Sequence, residues 1–197
     1  MYDRALEQTE AHGNAARRAS VLADARGTVV ELGAGTGLNL AHYPADVELI
    51  LTEPEEPMAR RLEERLGAGR RGRVLRAPAE ALPLDDDSAD SVVSTLVLCT
   101  VDDLNASLAE IRRVLRPGGR LLFIEHVAAP RGSRLRRVQE LVHRPWHALA
   151  CGCHDNRETE AALARAGFEV EGLQRGRLEA AAPPMRPLIF GSATATS

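Results

Sequence analysis

Lysine is absent: all 25 basic residues of this 197-residue chain are arginine. That excludes a Schiff-base lysine or a P-loop lysine as the group that does the chemistry. No apolar run approaches the ~18 to 20 residues needed to span a bilayer, and the opening MYDRALEQTEAHGNAARR has no apolar core of the signal-peptide kind. A cytoplasmic location with no membrane partner is expected. An excess of positive charge is also missing, since the net charge is −3. Nothing draws the chain to a phosphate backbone, and no nucleic-acid partner is expected. Cysteines are few and odd in number: Cys99, Cys151 and Cys153. They suit a reducing compartment better than a disulfide framework.

What is present is ordinary globular composition, 44% hydrophobic and 27% charged, in a length that suits one domain. Residues 4–25 read as one or two helices broken near Gly13-Asn14 and ended at Arg26-Gly27. Strands are expected at 28–32, 47–51, 73–75, 90–97, 120–126, 168–173 and 187–192, because short β-branched and apolar runs end there at glycine, proline or charge. Helices are expected from 38, over 57–66, over 104–115 and over 157–166, with about thirty residues of poorer pattern after the fifth strand. Seven strands alternating with helices imply an α/β fold, a doubly wound and mainly parallel sheet covered on both faces. Ligands bind such sheets outside the carboxyl ends of the strands, where the strand order reverses.

The first strand runs into Glu31-Leu32-Gly33-Ala34-Gly35-Thr36-Gly37. These glycines permit a tight strand-to-helix turn and let a ligand lie against the backbone. Leu38 stands where a dinucleotide fingerprint has its third glycine, which counts against NAD. Glu53 ends the second strand twenty residues beyond Gly33, the separation at which an acidic side chain meets ribose hydroxyls.

Four segments in order, ELGAGTG at 31–37, TEPEEPM at 52–58, AEALP at 79–83 and RVLRPGG at 113–119, resemble the class I S-adenosylmethionine-dependent methyltransferases. The resemblance implies a Rossmann-like methyltransferase fold, S-adenosylmethionine as cofactor and S-adenosylhomocysteine as its product. It implies a cofactor site of Glu31, Gly33, Gly35, Gly37 and Asn39 at the methionine half, with Thr95 and Leu96 beside it. Glu53 would then bind the ribose diol, Pro54 and Met58 would lie near the nucleoside, and Ala79 and Glu80 would edge the adenine. Pro78 stands where many relatives carry Asp, so the backbone of Ala79 or the Glu80 carboxylate must take over that contact.

Further segments, TLVLCTV at 95–101, EHVAAP at 125–130, PWHALACGCHDNRET at 145–159 and RPLIFG at 186–191, resemble the subfamily of the mammalian alkyl thiol methyltransferases and their small bacterial relatives. A small-molecule acceptor is implied, a thiol in preference to an oxygen or nitrogen of a small apolar metabolite, the alternative being a non-catalytic protein that only binds S-adenosylmethionine. The mammalian hydrophobic N-terminal anchor has no counterpart here, so membrane attachment is not expected to carry over. A thiol of pKa near ~8.5 needs only a mild base or positive surroundings, and His126 at the tip of the fifth strand is the candidate catalytic residue.

The chain then divides into a helical lid (1–26), a cofactor-binding core (28–126), a substrate cap (127–157) and C-terminal strands (158–197). Acceptor contacts are expected from Tyr2 and Leu6 of the lid and from Trp146, His147 and Cys151 of the cap. Cys151-Gly152-Cys153-His154 lacks the usual zinc-ligand spacing, so no metal is expected. Arg134, Arg136 and Arg137 read as a solvated helix face.

Overall fold

A computed structural model describes residues 8–67, 69–149 and 152–196. A wide helical turn at Glu10–Asn14 leads into α1 (Ala15–Leu22), with the chain kinked at His12 and Gly13, where the sequence placed its break. There follow β1 (Thr28–Leu32), β2 (Glu48–Thr52), α2 (Glu56–Leu66), β3 (Gly72–Leu75), β4 (Ala89–Thr95), α3 (Leu104–Val114) and β5 (Leu115–His126). α4 (Arg134–Leu149), α5 (Thr159–Arg165), β6 (Phe168–Arg177) and β7 (Pro187–Ala195) complete the chain.

The seven strands form one sheet in the order β3-β2-β1-β4-β5-β7-β6. β1 to β5 are parallel, and β7 runs antiparallel between β5 and β6. Successive strand residues point to opposite faces, and the two core clusters follow that alternation. Val30, Val92, Leu121 and Phe123 pack on the face covered by Leu108 and Ile111 of α3 and Leu163 of α5. Val29, Val93, Leu122 and Ile124 pack on the other, with Val21 and Leu22 of α1 and Leu62 of α2. The order reverses between β1 and β4, so their carboxyl ends frame the crevice.

β4 ends at Thr95 rather than 97 and β5 begins at Leu115 rather than 120, and two segments differ more from the sequence reading. The helix expected from residue 38 is a single tight turn, Leu40–His42, because Pro44 holds Tyr43 extended (φ −74°, ψ 144°). The thirty residues of poorer pattern contain the 16-residue α4. Its outer face exposes Leu141 (81%) and Val138 (42%), which blurs the apolar stripe that would have marked it. Gln139, fully buried, clamps α4 down: its side chain accepts from Ala129 N–H and donates to the carbonyls of Val127, Asp155 and Pro184. Among the described residues no helix is long and apolar enough to cross a membrane.

Candidate active site

The loop leaving β1 turns on three residues in the left-handed region, Gly33 (φ 49°), Gly35 (φ 58°) and Gly37 (φ 88°). Side chains are also excluded by space at the first, where a Cβ would come within 2.9 Å of Val97 Cγ2. The turn is sewn to the end of β2: Ala34 N–H donates to Thr52 O at 2.8 Å, and Gly35 N–H to Glu53 Oε2 at 2.8 Å. The other Glu53 oxygen accepts from Glu55 N–H. Glu53 is buried, yet each oxygen keeps a lone pair beyond these bonds.

Beneath the turn lies a buried polar cluster. Glu31 Oε1 accepts from Asn39 Nδ2 and Oε2 from Tyr43 O–H, both at 2.8 Å. Burial raises the Glu31 carboxyl to about 7, against the lowering contributions of Tyr43, Asn39 and Arg18. Burial and the Glu31 charge push the Tyr43 hydroxyl well above its ordinary value. Arg18 of α1 reaches over the cleft, donating to Asn39 Oδ1 at 2.8 Å and Thr95 Oγ1 at 3.0 Å while pairing with Glu10. With Arg18 in that position the cleft between Gly33, Gly35, Thr95 and Leu96 measures about 30 Å³.

The expected residues Glu31, Gly33, Gly35, Asn39, Thr95 and Leu96 are brought together around this cleft. Pro54 and Met58 flank the start of α2, exposed and half-buried respectively, and Ala79 is buried in the loop after β3, the strand next to β2. Glu80 is differently engaged: Oε1 accepts from Asp102 N–H and Asp103 N–H at the entry to α3. Arg18 and Tyr43 were not anticipated. They come from a helix and a turn whose local patterns mark no ligand, and only the fold carries them to Glu31.

The carboxyl ends of β4 and β5 build a second cluster. The buried Glu125 carboxylate accepts from Ser94 Oγ and from the N–H groups of Val97, Leu98 and Cys99, clasping the turn that Leu96 enters with φ 62°. Burial raises the Glu125 carboxyl. His154 N–H donates to Cys99 O at 2.7 Å, and Arg157 donates to the carbonyls of Leu98 and Val101. These bonds bring the segment after α4 against the same turn.

His126 therefore meets two sulfurs. Its Nδ1 lies 3.6 Å from Cys153 Sγ and 3.9 Å from Cys99 Sγ. Its Nε2 is buried without a hydrogen-bond partner among the described residues. Contact with Cys99, then with His126, pulls the Cys153 thiol below its ordinary value against the effect of burial, whereas the same contact and burial push Cys99 up. The ring is aimed at neither Glu125 nor the backbone. Cys99 and Cys153 are remote in sequence from His126, so the zinc-spacing test applied to 151–154 could not reveal the grouping.

Of the expected acceptor wall, Trp146 and His147 lie on α4, half-buried. The His147 ring sits 4.5 Å from that of His154, which burial and Arg157 lower to about 4. Tyr2, Leu6 and Cys151 fall outside the described residues. A larger hollow of about 600 Å³ opens between the loop after β5, α5 and the β6–β7 pair, lined by Val127, Pro130, Arg157, Leu188 and Ile189. Neither Trp146 nor His147 lines it.

Residues 30–123 match the family model described as a methyltransferase domain. Thiol S-methyltransferase TMT1B of Mus musculus is 38% identical over 182 residues, spanning 87% of this chain and 72% of the relative. Thiol S-methyltransferase TMT1A of Homo sapiens is 35% identical over 170 residues, 84% and 70% of the two chains. A solved S-adenosylmethionine-dependent methyltransferase of Thermotoga maritima superposes with a TM-score of 0.69 at 24% identity, covering 99% of this chain and 94% of its own. The [4+2]-cyclase SpnF gives 0.72 at 16% identity, covering 98% and 80%. Structural likeness at such identities speaks to the fold alone.

Proposed function

The chain belongs to the class I S-adenosylmethionine-dependent methyltransferases and resembles their thiol S-methyltransferase subfamily, and we propose that its acceptor is the sulfur of a small thiol. The observation that carries this reading is the likeness to the mouse thiol S-methyltransferase across 87% of the chain, cap included.

The cleft has the chemistry the cofactor requires at each end. When bound, S-adenosylmethionine supplies an electrophilic methyl on a sulfonium sulfur. Its methionine half is zwitterionic, and the chain offers Arg18 to the carboxylate and Glu31, a carboxyl poised near neutrality, to the ammonium. The backbone at Gly33 and Gly35 gives it room, and Asn39, Thr95 and Leu96 wall it, while Gly37 closes the turn against Leu40 and Leu62 outside the cleft lining. Glu53 receives the ribose hydroxyls on the lone pairs that Gly35 and Glu55 leave free. Pro54 and Met58 border the nucleoside. Glu80 Oε1 is taken by the backbone of Asp102 and Asp103, so the adenine edge falls to the backbone of Ala79 and the other Glu80 oxygen.

Transfer to a thiolate needs alignment and exclusion of water more than acid–base work. The half-buried Trp146 and His147 of α4 would serve those ends, His147 lying 4.5 Å from His154, whose N–H bonds Cys99 O in the turn after β4. A methyl-transfer assay with S-adenosylmethionine against matched alkyl thiols, phenols and amines tests the reading. Turnover of thiols at least about tenfold above the others is expected. Turnover of a phenol or amine with none of any thiol would refute it.

A further inference from the structure

We propose that Cys99, His126 and Cys153 form a three-donor site for a thiophilic metal ion of the zinc class, whose fourth position takes the acceptor sulfur. The second clause rests on the thiol reading above; the first does not.

The three donor atoms lie within 4.8 Å of one another. Tetrahedral zinc, with Zn–S of about 2.3 Å and Zn–N of about 2.0–2.1 Å, places its sulfur and nitrogen donors about 3.6 Å apart. The observed separations from His126 Nδ1 are 3.6 Å to Cys153 and 3.9 Å to Cys99. A neutral imidazole has one lone pair at Nδ1, enough for one S–H donor and not for two. One cation at the centre satisfies both sulfurs and the nitrogen together. Two thiolates and a neutral imidazole balance a divalent charge, and an S₂N donor set selects zinc-class or cuprous ions over magnesium or calcium.

The donors are held before any ion arrives. Glu125 clasps the Cys99 turn through three N–H groups, His126 ends β5, and Cys153 is positioned by the bond from His154 N–H to Cys99 O. Such rigid support is what orients metal ligands elsewhere. Three protein donors with one open position is the catalytic form of a zinc site, whereas structural sites are closed by four. Cys99 follows Leu96 of the cofactor cleft by three residues and His126 ends β5 beside β4, so the three donors sit at the same strand tips as the cleft.

The chemistry balances. The acceptor thiol enters the fourth position as thiolate, releasing its proton to water. A sulfur lone pair then forms the new C–S bond while the methyl–sulfonium bond breaks, its electron pair passing to the departing sulfur. The thioether product is a weaker ligand than a thiolate and dissociates.

The test is titration of the full chain, stripped by a chelator, with Co(II) alone. One equivalent should bind with a thiolate-to-cobalt charge-transfer band, displaced by Zn(II). Cys153→Ser and His126→Gln should each weaken binding by at least about tenfold, with calorimetric S-adenosylmethionine affinity reporting an intact fold. Ethanethiol added to the cobalt form should shift the band. Absence of the band from the wild-type chain overturns the site, as does a folded Cys153→Ser variant that binds cobalt undiminished. Should both variants misfold, the wild-type titration alone decides. An unshifted band on adding ethanethiol overturns the open position. A shifted band in a chain that methylates no thiol leaves the metal site standing and removes the thiol reading instead.

Discussion

Gly35 donates its backbone N–H to Glu53 Oε2 at 2.8 Å, so the glycine turn after β1 and the acidic end of β2 form one rigid unit. The residue proposed to hold the ribose thereby also sets the shape of the turn proposed to hold the methionine half. Glu53→Ala should weaken S-adenosylmethionine binding by about 1 to 3 kcal/mol, through loss of a charged acceptor and of the tie to Gly35. Glu53→Gln, which keeps one acceptor oxygen, should lose less. Calorimetry on folded variants checks both, and unchanged affinity in Glu53→Ala would remove the assignment.

Gly35 has φ 58°, a conformation that β-branched residues adopt only under strain. Gly35→Val should lower the melting temperature, at a cost of about 1 to 3 kcal/mol, and should reduce cofactor affinity at least as much as Glu53→Ala. Thermal unfolding with and without S-adenosylmethionine measures the two effects. A variant that melts and binds like the parent would show that the turn has another purpose.

Arg18 places its guanidinium against Asn39 and Thr95 in the cleft. If it receives the methionine carboxylate, the wild-type chain should prefer S-adenosylmethionine over its decarboxylated analogue by tenfold or more, about 1.4 kcal/mol. Arg18→Met should bring the two affinities together. A preference that survives the substitution assigns the carboxylate to another group.

Burial raises the Glu31 carboxyl from its ordinary 4.5 to about 7 in the folded chain. The folded state thus holds a proton that the unfolded state has released, and stability should fall as pH rises from about 4.5 through 7, then level off. The loss amounts to about 3 kcal/mol at most. Glu31→Gln, which mimics the protonated form, should flatten the profile. Cofactor binding near pH 7 should also release a proton from Glu31, seen as calorimetric heats that vary with the buffer's ionisation enthalpy. Equal heats in all buffers would contradict a Glu31–ammonium contact.

Gln139 satisfies four backbone groups from three separate segments. Gln139→Ala should cost about 1 to 3 kcal/mol by leaving buried polar groups unpaired. Hydrogen exchange should rise first in residues 127–157, ahead of the sheet. Uniform loss of protection would mean that α4 and the core unfold together.

The seven strands, their mainly parallel order and the glycine turn were legible in the sequence because each is written in local periodicity and punctuation. Buried parallel strands read as short apolar runs, and Gly33, Gly35 and Gly37 announce a turn that side chains would obstruct. The place of Glu53 just beyond β2 was legible by its fixed spacing from Gly33. α4 was not, since its apolar stripe is broken by the exposed Val138 and Leu141 and its seat depends on the buried Gln139. Nor were Arg18 beside Glu31, Glu80 at the entry to α3, or Cys99 and Cys153 around His126. Those neighbours are separated by 13 to 54 residues along the chain. Long-range contacts are decided by how helices and loops pack on the finished sheet, which local pattern does not encode.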